Sequence, residues 1–245
     1  MCCFSGPVER VEATNILARM VAPGRQLLVY EMRLAAQAEV AMILPIPVPA
    51  RSGDDSVQFR SLEHYPELFE DLDILFRPPP SRGLPAQGAT TVLGLAVHAV
   101  GAFEASFVPT LADFARLDPR FRIPPGTIDR VPAYADWGFA VFQLAPTKAL
   151  AEVHPMAFDF PTRAPDRLFF PTVHVHDGQL HDHAEFAHQL YAQGDGEITT
   201  WTEGTTPRRF QHKRGAHELL DLRAIMYRRS IFGTHPNTDV WASLS

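Results

Sequence analysis

Hydrophobic positions along this chain recur mostly at every second residue, the period of a strand with one buried face. Residues 11–20 and 26–34 carry that pattern, and Ala22-Pro23-Gly24-Arg25 between them supplies a turn, so the two runs read as a hairpin. The run from Glu39 to Ile46 passes into Leu44-Pro45-Ile46-Pro47-Val48-Pro49. Alternating prolines delete every second donor, so this run is expected to leave the sheet or to lie along its edge. Between Ser61 and Leu75 the period changes. Leu62, Tyr65, Leu68, Phe69, Leu72 and Leu75 stand at helical spacing, with Pro66 in the first turn.

Pro78-Pro79-Pro80-Ser81-Arg82-Gly83 reads as a linker and marks a candidate subdomain boundary near residues 77–88, within one domain spanning 1–245. Residues 90–109 alternate as one long strand or two short ones broken near Gly101. Thr110 then caps a short helix that runs to Leu117, and Asp118-Pro119 stops it. The bulky segment 134–144 has the composition of a buried strand. Further strands are expected at 156–160, 168–175 and 197–202. From Leu180 the chain is either a returning strand or the approach to a helix over 184–193. Residues 216–229 place Leu219, Leu220, Arg223, Met226 and Tyr227 along one side of an amphipathic helix. Many strands and about four scattered helices, with no alternation of strand and helix, predict an α+β fold built mainly on antiparallel sheet.

Composition narrows the function classes. A hydrophobic share of 46% and a charged share of 20% are those of an ordinary globular protein. A formal charge of −6 argues against nucleic acid as the main partner. The basic run 207–214 is a local exception that reads as a solvated turn. No apolar stretch approaches the roughly 18–20 residues of a membrane-spanning helix, and the first residues lack the basic and apolar regions of a signal peptide. The expected location is the cytoplasm, without membrane attachment. A nucleotide cofactor is not indicated: there is no Gly-Lys-Ser/Thr phosphate loop, and Gly194-Asp195-Gly196-Glu197 reads as a turn.

The richest chemistry lies between residues 169 and 188, where five of the eleven histidines fall. His174 and His176 are two apart between valines, so on a strand both imidazoles leave one face. Neutral imidazole is the commonest protein ligand for zinc and also suits copper, nickel and iron. His174 and His176 are therefore candidate ligands for zinc or another transition metal. His181, His183 and His188 compete to complete the shell beyond an Asp177-Gly178 turn. On this reading the protein binds metal and extends to a metal-dependent hydrolase. A single turn of solvated and locally packed histidines is the plainer alternative. His217-Glu218-Leu219-Leu220-Asp221 lacks the second histidine of a zinc-protease helix.

Two further readings come from other classes. Removal of Met1 would leave Cys2 with a free α-amine beside its thiol, the equipment of an N-terminal cysteine hydrolase. Alternatively, the proline-rich rim at 44–49 and the linker at 78–83 present a surface to a protein partner or to a second copy, as in a non-catalytic binding or assembly module.

Several segments, in order, resemble a bacterial family of uncharacterised proteins. They are Cys2 and Phe4, Met42-Ile43-Leu44-Pro45-Ile46-Pro47, Val100-Gly101-Ala102-Phe103, Trp137-Gly138-Phe139-Ala140, Met156 to Thr162 and Phe170-Pro171. The resemblance covers roughly residues 2–175 and implies one compact domain but no activity. Its members are often exported, whereas no leader is seen here, and the histidine window is not part of the shared pattern.

Overall fold

The computed structural model describes residues 2–62, 64–77, 104–123, 126–127, 131–147, 149–176, 179–194 and 196–244. Strands in chain order are β1 (Cys2–Phe4), β2 (Arg10–Ala22), β3 (Arg25–Ala35), β4 (Val40–Ile46), β5 (Gln58–Arg60), β6 (Glu104–Val108) and β7 (Gly138–Leu144). They continue as β8 (Ala151–Pro161), β9 (Arg167–Phe170), β10 (His174–Val175), β11 (His183–Gln193), β12 (Thr202–Glu203), β13 (Tyr227–Pro236) and β14 (Val240–Ser243). Two α-helical segments, α1 (Leu68–Ile74) and α2 (Ala216–Leu219), accompany them with short 3-10 turns.

The strands form a five-stranded sheet, ordered β10-β1-β4-β7-β6, and a seven-stranded sheet, ordered β12-β13-β11-β2-β3-β8-β5, with β9 and β14 as a separate pair. Most pairings are antiparallel, as the sequence predicts; β1 with β10 and β2 with β11 are parallel. Parallel neighbours need long connections, so both pairings join parts of the chain far apart in sequence.

One apolar layer lies between the two sheets. Phe4, Met42, Leu44, Ala140 and Phe142 from the smaller sheet meet Ile16, Leu28, Tyr30, Phe158 and Phe160 from the larger. The opposite face of the larger sheet, through Leu17, Leu27, Val29 and Tyr191, is covered by α1 and α2. The outer face of the smaller sheet, through Cys3, Ile43, Phe139 and Val141, packs against Phe114, Phe121 and Tyr134 on the 3-10 turns and Trp137 just before β7. With both faces covered, β3 and β4 read as near-continuous apolar runs instead of alternating ones.

The structure corrects several expectations. The proline run leaves the sheet after Ile46, one of the two expected outcomes, but β4, which contains Pro45, is not an edge: it sits between β1 and β7. Ser5 N–H donates to Ala41 O, which puts the odd-numbered backbone groups of β4 on the β1 side. Pro45 therefore aims its donor-less nitrogen past the end of the β1 pairing, which stops at Met42 and Ile43. The expected helix over 216–229 is one turn followed by β13. Asp221 ends it by accepting from the N–H groups of Arg223 and Ala224, while the Gln193 amide bonds the Asp221 backbone. Residues 184–193 take the strand alternative, because Phe186, His188 and Leu190 bury at a spacing of two. About four helices are thus more than the described residues contain; the short helix expected from Thr110 is a 3-10 turn over 111–116. The linker at 78–83 and most of the candidate boundary at 77–88 lie outside the described residues.

Glu31 marks an irregularity in the larger sheet. The β2–β3 register slips between Glu12 and Asn15, and the β3–β8 register slips between Tyr30 and Met32. The carboxyl is 6% exposed and accepts from Asn15 Nδ2 at 2.8 Å. Burial pushes it up to about 8 from the ordinary 4.5, against the opposing pull of the Asn15 bond. A raised carboxyl holds its proton in the folded state, so this contribution to stability is complete below pH 4.5 and is lost as pH rises to about 8. Glu31→Gln keeps an uncharged partner for Asn15 and is expected to gain about 1–3 kcal/mol at pH 8 with little change at pH 4. Urea denaturation at the two pH values measures this; parallel pH profiles for wild type and variant would contradict it.

Candidate functional site

Three of the five histidines converge at one margin of the inter-sheet layer. His174 belongs to β10, on the edge of the smaller sheet, and His188 to β11 in the larger one. Their Nε2 atoms lie 3.3 Å apart, so the pair spans the gap between the sheets. The His176 ring stacks on His174 with centroids 4.9 Å apart and an interplanar angle of 21°. Phe186 also stacks on His174, at 4.6 Å, and Phe4 lies 5.7 Å from His176. The apolar walls are the end of the core itself.

A two-residue strand cannot fix a side chain alone, and β10 is held from outside the histidine window. Asn237 acts as a surrogate strand: His174 N–H donates to Asn237 Oδ1 at 2.7 Å, and Asn237 Nδ2 donates to His174 O at 2.9 Å. The same Nδ2 reaches His181 O at 3.0 Å. One residue pair further, Asp239 Oδ1 accepts from Thr172 N–H and Val173 N–H, and its other oxygen accepts from the Tyr134 hydroxyl. On the inner side β10 pairs with β1, with Cys2 opposite His174 and Cys3 opposite Val175. The polar run 237–239 is therefore what positions His174. Its signal was Asn-Thr-Asp directly after Pro236, residue types whose side chains bond nearby backbone.

Burial dominates the electrostatics. It lowers His174 from 6.5 to about 2, helped by His188 and His176, and lowers His188 to about 3. Both rings are neutral at physiological pH. His188 is 1% exposed, and its Nδ1 has no hydrogen-bond partner. Among the described residues no carboxylate bonds either ring. His181 and His183 are exposed, and His181 meets the site through its backbone carbonyl. Among the described residues no group of three or more His, Cys, Asp or Glu is arranged to hold a metal ion. Cys3 is fully buried in the outer core of the smaller sheet. Cys2 lies on the backbone of a strand hydrogen-bonded between β10 and β4. No helix among the described residues is long and apolar enough to cross a membrane.

No family model and no curated protein matches the chain, so the bacterial resemblance rests on its short motifs alone. Solved structures do match. Baculovirus P35 aligns over 99% of this chain and 99% of its own at 14% identity, with a TM-score of 0.56. At that identity the likeness is one of fold, and it runs from end to end. A mutated baculovirus P35 after caspase cleavage aligns at 12% identity over 96% of this chain and 100% of that one, with a TM-score of 0.48. P35 in a caspase-8/P35 complex aligns at 12% identity over 95% and 96%, with a TM-score of 0.46.

The neutral histidine pair predicts acid lability. A histidine lowered on folding favours the native state above its ordinary 6.5, and that stability is lost as pH falls below it. With two such rings, stability should drop by about 2–4 kcal/mol between pH 6.5 and 5. His188→Leu should roughly halve the slope. Denaturant midpoints across this range test it, and equal slopes in wild type and variant would refute the assignment.

Proposed function

We propose that this chain is a non-catalytic protein-binding protein whose partner is a protease of the caspase class. The observation that supports the reading is the end-to-end fold likeness to baculovirus P35, spanning 99% of both chains. P35 itself is known after caspase cleavage and in a complex with caspase-8. A likeness over 99% of both chains at a TM-score of 0.56 is one of architecture, and the reading is carried over from it by analogy of fold. The site chemistry agrees. His174 and His188 are neutral and stand beside Phe186, an arrangement suited to joining two sheets.

Adding purified chain to active caspase-8 and following a fluorogenic peptide substrate tests the reading. Activity is expected to fall and to saturate near equimolar addition. Undiminished activity at about tenfold excess would overturn it.

A second reading keeps the metal expectation in reduced form, with His174 and His188 as two ligands of one zinc or other transition-metal ion. It is favoured by the 3.3 Å between their Nε2 atoms. Two imidazole nitrogens on one tetrahedral zinc, at bonds of about 2.0–2.1 Å, stand about 3.3 Å apart. Water would fill the remaining positions, and the unpartnered Nδ1 of His188 lacks the outer hydrogen bond that such ligands normally make. Zinc titration of the untagged protein by calorimetry should give one site that His188→Ala abolishes. No heat of binding above that of the variant would eliminate this reading.

A further inference from the structure

Among the described residues β13 presents an open hydrogen-bonding edge. Among the described residues its outer neighbour β12 pairs only with Tyr227 and Arg228, while β11 covers its inner side along the whole strand. Gly204 N–H donates to Met226 O and Met226 N–H to Thr205 O, so even-numbered backbone groups point to the β12 side. Strand alternation places those of Ser230, Phe232 and Thr234 on the same side, beyond the end of β12. His235 Nε2 meets Phe232 O there at 2.8 Å, from solvent. Phe232 is 58% exposed and is the one large hydrophobic side chain so exposed among the described residues.

The stretch is bounded on both sides. β12 occupies Arg228, and Pro236 has no N–H to offer, which leaves Arg229 to His235 with Phe232 at the centre. A centred edge of this kind is complementary to itself. We propose that it pairs antiparallel with the same edge of a second copy, about a two-fold axis through Phe232, to give a continuous sheet across the dimer.

In that register Phe232 faces Phe232, Ser230 faces Thr234 and Arg229 faces His235, so no two arginines stand opposite one another. The outward groups of Ser230, Phe232 and Thr234 make about six hydrogen bonds across the axis once His235 Nε2 yields the Phe232 carbonyl that it bonds in the single chain. Each Phe232, 58% exposed and opposite Ala187 of β11 in the register, is covered by its twin. Flanking Ser230 and Thr234 are held by Gln189 and Glu185 at 2.6 and 2.8 Å, which keeps the rim polar. Gly233, at φ +85°, adds twist, and with Pro236 it confines the pairing to this short stretch. An interface this small belongs to the weak, concentration-dependent class.

Sedimentation velocity should show the wild type passing from monomer to dimer as concentration rises to about 200 µM, and Phe232→Lys should remain monomeric with an unchanged circular dichroism spectrum. Phe232→Cys should cross-link under mild oxidation, since opposed hydrogen-bonded residues stand about 5.5 Å apart at Cα, within disulfide reach, whereas Glu185→Cys should not. A wild type that stays monomeric throughout, as it would if the edge served a strand of another protein, overturns the proposal. So does a dimer that survives Phe232→Lys and fails to cross-link through Phe232→Cys.

Discussion

Burial of the smaller sheet on both faces is the constraint from which the rest of this architecture follows. Even-numbered side chains of β4 enter the layer between the sheets, and odd-numbered ones enter the outer core. A strand in that position must have paired neighbours along its buried length, because an orphaned backbone group there costs about 1–3 kcal/mol. β7 satisfies one side along the whole strand and β1 the other at Met42 and Ile43. The N-terminal residues are thereby drawn into the middle of a sheet, and β10 is drawn in beside them. The meeting of His174 with His188 is a consequence of this packing.

That origin explains the chemistry of the pair. Side chains at the margin of an apolar layer lose solvent before they gain partners, and imidazole responds by shedding its proton. Neutral, stacked among Phe4 and Phe186, the rings join the two sheets with one nitrogen-to-nitrogen contact. Positioning comes from elsewhere, through Asn237 and Asp239, whose side chains stand in for a neighbouring strand.

Local features were legible in the sequence. The hairpin turn at Ala22-Pro23-Gly24-Arg25 has Gly24 at φ +68°, as a turn requires, and the helical spacing around Leu68, Phe69 and Leu72 marks the face that α1 buries. The segment 134–144 contains β7. What depended on distant partners was not legible. Pro45 makes β4 look like an edge until β1 and β7 are known to lie on either side of it. Residues 216–229 carry a helical pattern, but Met226 and Tyr227 face opposite cores once the strand forms. Within the site, His174 and His176 were found by their spacing of two. His188 could be ranked no higher than His181 or His183, because its role depends on the parallel pairing of β11 with β2, which no local pattern encodes.

The proposed binding role rests on a likeness of fold over 99% of the chain at 14% identity, and a direct binding experiment decides it. The most direct measurement is light scattering on a size-exclusion column after mixing this chain with active caspase-8. Protein binding predicts a single new peak whose mass is that of both components together, formed as well by His188→Leu as by wild type. Two unshifted peaks at concentrations where caspase-8 is fully active would contradict it.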